Sequence, residues 1–176
     1  MQHFWKDGQV FDFATGIADT RNSSFWLDGL PIALYHSSED TGDFQYAYPC
    51  QDVITGTWGE VPLYPKISGY APDTTDWISS AYSPSNDLCE VLLTGVNHPH
   101  NMNEHSLTYV YRKEIDDSVQ LDLTISLYQG ETLIAETGQL NISYEWTTGS
   151  FELTAEQISQ ISNYNDLRIK LNANKV

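Results

Sequence analysis

The run Val119-Gln-Leu-Asp-Leu-Thr-Ile-Ser-Leu-Tyr-Gln129 decides the fold class of this chain. Val119, Leu121, Leu123, Ile125 and Leu127 alternate with Gln120, Asp122, Thr124, Ser126 and Tyr128. Successive side chains of an extended chain point to opposite faces, so the alternation predicts a strand with one buried face. Burying those aliphatic side chains contributes on the order of 10 kcal/mol before chain entropy is set against it. Leu123 and Ile125, mid-strand on the apolar face, are expected at the centre of the core.

The neighbouring segments repeat the pattern. Leu107-Thr-Tyr-Val-Tyr-Arg112 is β-branched and aromatic, and Ile115-Asp-Asp-Ser118 reads as the hairpin loop leading into the long strand. Gly130 ends that strand, and Thr132-Leu-Ile-Ala135 starts another. Ile142, Tyr144 and Trp146 alternate with polar residues, as do Leu167, Ile169, Leu171 and Ala173. Leu88–Thr94 and Pro31–Tyr35 are further strand candidates. One helix interrupts the series. Thr154-Ala-Glu-Gln157 has capping-box spacing, and Ile158 and Ile161 follow on one face. At about two turns such a helix needs a sheet to dock on. Tyr164 at the following corner is expected to bury its ring and to give its hydroxyl a backbone partner.

These signals predict an all-β protein: an antiparallel β-sandwich, jelly-roll or Ig-like, with one short helix near 155–162 and an extended, aromatic-rich N-terminal arm. Residues 1–86 differ in texture from the rest, with Phe, Trp and Tyr interleaved with Gly and Pro and little clean alternation. Residues 1–75 are assigned to an arm and elaboration that binds a partner, and residues 76–176 to the sandwich. The polar, turn-rich stretch Asp73–Ser85 marks the boundary.

Composition narrows the function. With 24 acidic against 8 basic side chains the net charge is −16, which repels phosphate backbones and anionic bilayers. Neither nucleic acid nor membrane is an expected partner, and no apolar run approaches the ~20 residues of a membrane span. The start Met1-Gln-His-Phe-Trp-Lys-Asp7 has no basic n-region and no apolar h-region, so synthesis in the cytoplasm is expected. There Cys50 and Cys89 would stay reduced.

Three imidazoles and a carboxylate fall close together in His98, His100, Glu104 and His105, a set that could ligate zinc. Pro99 and Asn101-Met-Asn103 make the cluster a polar inter-strand loop, and such loops are commonly just solvated. Neither a metal nor a cofactor is therefore expected. Glu39-Asp40 with Asp43, and Asp116-Asp117, lack calcium-loop spacing and read as acidic turns. The chain carries no G-x-S-x-G elbow, P-loop or dinucleotide fingerprint, and no catalytic residue is assigned.

Several pieces then resemble a known module: Tyr82-Ser-Pro-Ser-Asn-Asp87, Tyr109-Val-Tyr-Arg-Lys113, Leu127-Tyr-Gln-Gly130, Trp146-Thr-Thr148 and Asn163-Tyr-Asn-Asp-Leu-Arg168. In this order and spacing they resemble a β-sandwich module of virion structural proteins of tailed bacteriophages, over roughly residues 76–176. The resemblance implies a non-enzymatic particle component located on the virion, most naturally a capsid decoration (cement) protein. Its partners would be the major capsid protein or other virion proteins, with self-association left open. A receptor- or carbohydrate-binding module of a head or tail fibre, stacking sugars on Trp58 or Trp77, and a neck or tail adaptor are the alternatives. Phe4, Trp5, Phe11 and Phe13 suit neither a helix face nor a clean strand, and are the expected partner-binding anchors.

Overall fold

The computed structural model describes residues 32–35, 44–59, 61–68, 77–96, 105–114 and 118–176, with the side chains of 32–35 and Phe44 outside the description. Among these residues the chain forms β1 (Ile32–Tyr35), β2 (Phe44–Ile54), β3 (Asp87–Thr94), β4 (His105–Tyr111), β5 (Leu121–Gln129), β6 (Thr132–Gln139), β7 (Thr147–Glu152) and β8 (Leu167–Lys175), with one α-helix, α1 (Ala155–Ser159). All pairings are antiparallel, in the order β6-β5-β8-β3-β2-β1-β4-β7.

That ladder folds into two facing sheets because β2 serves both. Its first residues pair with β1, Ile32 opposite Ala47 and Tyr35 opposite Phe44. From Tyr48 onward it pairs with β3, with register shifts between Pro49 and Gln51 and between Asp52 and Ile54. An extra residue in one strand bends it and sharpens its twist, the usual way for a strand to turn the corner of a sandwich. Sheet one is β2-β1-β4-β7, and sheet two is β6-β5-β8-β3-β2. The antiparallel all-β sandwich read from the sequence is the observed fold.

The core fills the space between the sheets, drawing Cys89, Val91 and Leu93 from β3, Leu107 and Tyr109 from β4, Leu123, Ile125 and Leu127 from β5, and Leu167, Ile169 and Leu171 from β8. Ile125 is 0% exposed and Leu123 3%, as the alternation predicts. Gln139, at the end of β6, ties the two sheets: its Oε1 accepts from the Tyr111 hydroxyl at 2.8 Å, and its Nε2 donates to the Tyr109 hydroxyl at 2.7 Å.

The helix forms where its cap demands. Thr154 Oγ1 accepts from Gln157 N–H at 3.2 Å, and Gln157 Oε1 accepts from Thr154 N–H at 2.8 Å, satisfying two donors at the helix start. Ile158 and Ile161 are both buried. Tyr164 is buried as expected, and its hydroxyl lies 2.8 Å from the His105 Nε2.

Three features depart from the sequence reading. Residues 140–146 form no strand; this segment crosses between the sheets, with Ile142 N–H donating to Leu121 O and Lys113 N–H to Ser143 O. The strand starts later, at β7, whose Thr-Thr-Gly-Ser-Phe-Glu carries only Phe151 as a large apolar side chain. And β1 and β2, from the segment assigned to arm and elaboration, are interior strands between β3 and β4. The sandwich therefore draws on residues well upstream of 76.

Candidate binding site

One end of the sandwich carries a hollow of about 230 Å³. Its walls come from the 77–84 segment, the first residues of β5, the Arg112–Glu114 segment that follows β4, and the crossing segment at Ile142 and Trp146. Trp58 also lines it.

Asp87, the first residue of β3 and only 7% exposed, organises the first wall. Its Oδ1 accepts from Thr57 N–H at 3.1 Å, its Oδ2 from Ala81 N–H at 2.8 Å, and its carbonyl from the Trp58 indole N–H at 3.1 Å. One side chain thus holds both the turn that delivers Trp58 and the segment that delivers Trp77. The turn itself needs Gly56: its φ is +55°, and a Cβ there would run into Leu88 O. Gly59 N–H donating to Ser79 O at 2.8 Å, and Lys175 N–H donating to Pro84 O at 2.8 Å, complete the anchoring.

The opposite wall is set by the crossing segment. Arg112 places its guanidinium 4.5 Å from the Trp146 ring centroid and 5.6 Å from that of Tyr144, within cation–π range of both. Lys113 is nearly buried, with Nζ donating to Val119 O at 3.3 Å. Asp122 is held by Asn141 N–H, which donates to its Oδ1 at 2.7 Å. Trp77 is 43% exposed, Tyr82 80% and Tyr144 40%, so the rim of this end is aromatic. Arg and the large aromatics are the side chains that most often dominate binding energy, the aromatics because they bury much area and Arg because its planar fork bonds and stacks at once.

The residues singled out in the sequence fall unevenly on this picture. Trp58 and Trp77 both line the hollow, but Trp58 is 5% exposed with its N–H committed, and forms part of the wall, whereas Trp77 offers an accessible face. His105 is the first residue of β4 rather than a loop residue, 1% exposed, with its ring 5.8 Å from that of Tyr164. His98 and His100, and the aromatics Phe4, Trp5, Phe11 and Phe13, lie outside the described residues. Among those described, no group of three His, Cys, Asp or Glu is placed to hold a metal ion, and no helix is long and apolar enough to cross a membrane. Cys89 is buried, Cys50 half-buried, and both are free thiols. Burial pushes both above the ordinary thiol range, with Asp87 adding to the effect at Cys89.

Sequence reasoning missed Arg112, Asp122 and Trp146 as neighbours. Trp146 and Arg112 were each visible inside strand patterns, but nothing local says that a non-strand crossing brings one over the other.

A second charged cluster lies on the outer face of sheet two. Glu90, whose side chain is only 2% exposed, pairs with Arg168 at 3.2 Å and Lys170 at 3.4 Å. Lys170 also sits 4.0 Å from the Tyr128 ring centroid. Hydrogen bonds to Asp166 and Glu90 raise the Arg168 pKa further, holding its charge. The buried carboxylate is matched by two cations, a structural arrangement that welds β3 to β8.

No family model, no curated protein and no solved structure matches the chain, so its function is argued from its own residues and geometry.

Proposed function

We propose that this chain is a non-enzymatic component of a tailed-bacteriophage virion, a capsid decoration (cement) protein that binds and stabilises the major capsid protein shell. The observation that carries the reading is the gathering of exposed Trp77, Tyr82 and Tyr144 with Arg112 at one end of a stiff two-sheet body. A concentration of aromatic and guanidinium groups is what a protein-docking surface requires. The net charge of −16 keeps the chain soluble and steers it toward a basic partner face. The resemblance of residues 76–176 to a virion β-sandwich module supports the particle context.

The test is addition of the purified chain to particles that lack it. Binding at a copy number close to that of the major capsid protein, with greater resistance of the shell to heat, supports decoration. A few copies per particle would instead indicate a neck, tail or fibre component and overturn the cement role. The N-terminal aromatics enter the same assay: deletion of residues 1–15 is expected to abolish binding while the circular dichroism of the sandwich persists.

The second reading is a carbohydrate- or receptor-binding module of a head or tail fibre, and the hollow beside Trp77 favours it. A concave site with aromatic walls and a few polar groups suits a small ring.

A further inference from the structure

We infer that the hollow between the 77–84 segment and the crossing segment binds an uncharged, hydroxyl-rich ring, a single neutral sugar residue. The inference deepens the carbohydrate-binding reading and rests on it.

Size is the first argument. At about 230 Å³ the hollow falls below the roughly 300–1,000 Å³ of sites for drug-sized ligands, so it holds one ring rather than an extended chain.

Charge is the second. The chain as a whole carries −16, yet Arg112 and Lys113 in this lining are offset by Glu114 and Asp122. An anionic ligand would meet the two carboxylates, and a cationic one the two bases. A neutral polyol needs both hydrogen-bond donors and acceptors, and this lining supplies both. Asn141 fixes Asp122 through Oδ1, which leaves Oδ2 as an acceptor for ligand hydroxyls. Ser79 and Ser83 add hydroxyls that donate and accept, and Ser80, whose Oγ–H donates to Ala81 O at 3.3 Å, adds an acceptor.

Shape of the apolar part is the third. Sugars present C–H groups on one face and hydroxyls around the edge, so they stack on indoles while bonding sideways. Trp77 supplies an accessible indole face, and the buried Trp58 a rigid wall whose N–H is already committed to Asp87. Because Asp87 tethers both segments, the site is preorganised and loses little entropy on binding.

The experiment titrates the full chain with the methyl glycosides of glucose, galactose and mannose. Sialic acid and inorganic phosphate serve as anionic comparators and indole as an apolar one, all followed by amide and indole NMR shifts. At least one neutral glycoside is expected to bind with a Kd of about a millimolar or tighter. The shifts should map to Trp77, the serines of the 77–84 segment, Asp122 and Trp146. Trp77→Ala and Asp122→Asn should each weaken binding about tenfold or more, with the NMR spectrum still that of a folded chain. Absence of glycoside binding, preference for an anion or for indole, or unchanged affinity in Trp77→Ala overturns the inference. The wider reading fails separately. If a glycoside binds here but saturating amounts leave particle attachment to host cells unchanged, the pocket stands and the attachment role falls. If the Trp77→Ala chain still binds host glycans, the reading stands and this pocket falls.

Discussion

Tyr109 can lie flat across β7 because the residue opposite it, Gly149, has no side chain; a Cβ there would run into the Tyr109 ring. Single atoms decide packing elsewhere in the core as well. Leu123 is 3% exposed between the sheets, and Leu123→Ala is expected to cost about 2–5 kcal/mol in urea unfolding, through lost transfer energy plus the cavity left behind. A loss below about 0.5 kcal/mol would mean that the site collapses freely, contrary to a close-packed sandwich. Tyr46 and Tyr164 give a residue-level pH dependence. Burial raises both hydroxyls from 10.0 to about 12. The unfolded chain then ionises first as pH rises, so the native state holds more protons between those values. Stability is fully present below pH 10 and falls as pH climbs from about 10 to about 12. Tyr164→Phe should flatten this alkaline slope in a circular dichroism titration, while lowering the neutral-pH baseline by loss of the His105 hydrogen bond.

At the scale of elements, β3 and β8 pair from Asp87 opposite Ala173 to Leu92 opposite Arg168, and the Glu90 cluster sits across that seam. A buried carboxylate is tolerable only while its cations remain. Replacing Arg168 and Lys170 together by Ala is expected to cost about 3–5 kcal/mol, because the Glu90 charge is left uncompensated. Adding Glu90→Gln to that double variant should recover part of the loss in the same denaturation assay. If it recovers nothing, the cost lies in lost packing of the two long side chains rather than in charge. The short helix obeys its own local rule: its capping box closes as drawn from Thr154 and Gln157, although the helix stops at Ser159 and Ile161 is buried beyond it.

For the molecule as a whole, the consequential fact is that β1 and β2 lie between β3 and β4. A fragment of residues 76–176 would present the ladder edges of β3 and β4 unpaired and leave the core without Ala47, Trp58, Leu63 and Ile67. We expect that fragment to lack a cooperative urea transition, whereas residues 16–176 keep one. A 76–176 fragment with a sharp transition would show that the second sheet closes without β2. Asp52 makes the same dependence visible at closer range. From β2 it caps a single 3₁₀ turn, accepting from Leu63 and Tyr64 N–H at 2.8 Å each, and so fixes Leu63 and Ile67 in the core.

What the sequence determined by itself was everything that depends on near neighbours in the chain. The faces of β5 and β8 follow from period-two alternation, because a strand must turn alternate side chains to opposite sides whatever it pairs with. The α1 cap follows from a spacing of three residues, because both of its hydrogen bonds close within one turn. Only the tertiary structure decided the rest. β2 alternates Phe44, Tyr46 and Tyr48 with smaller residues, yet it is Ala47 and Pro49 that are buried. Two register shifts follow where the strand passes from one sheet to the other, so its pattern does not show which side is the core. β7 is a strand because β4 supplies its partners, although its own residues bury little. The hollow needs Trp58, Trp77, Arg112, Asp122 and Trp146 together. Those residues meet through contacts far apart in sequence, of which the Asp87 tether and the crossing at 140–146 are the chief, and their strength depends on distances no local pattern encodes.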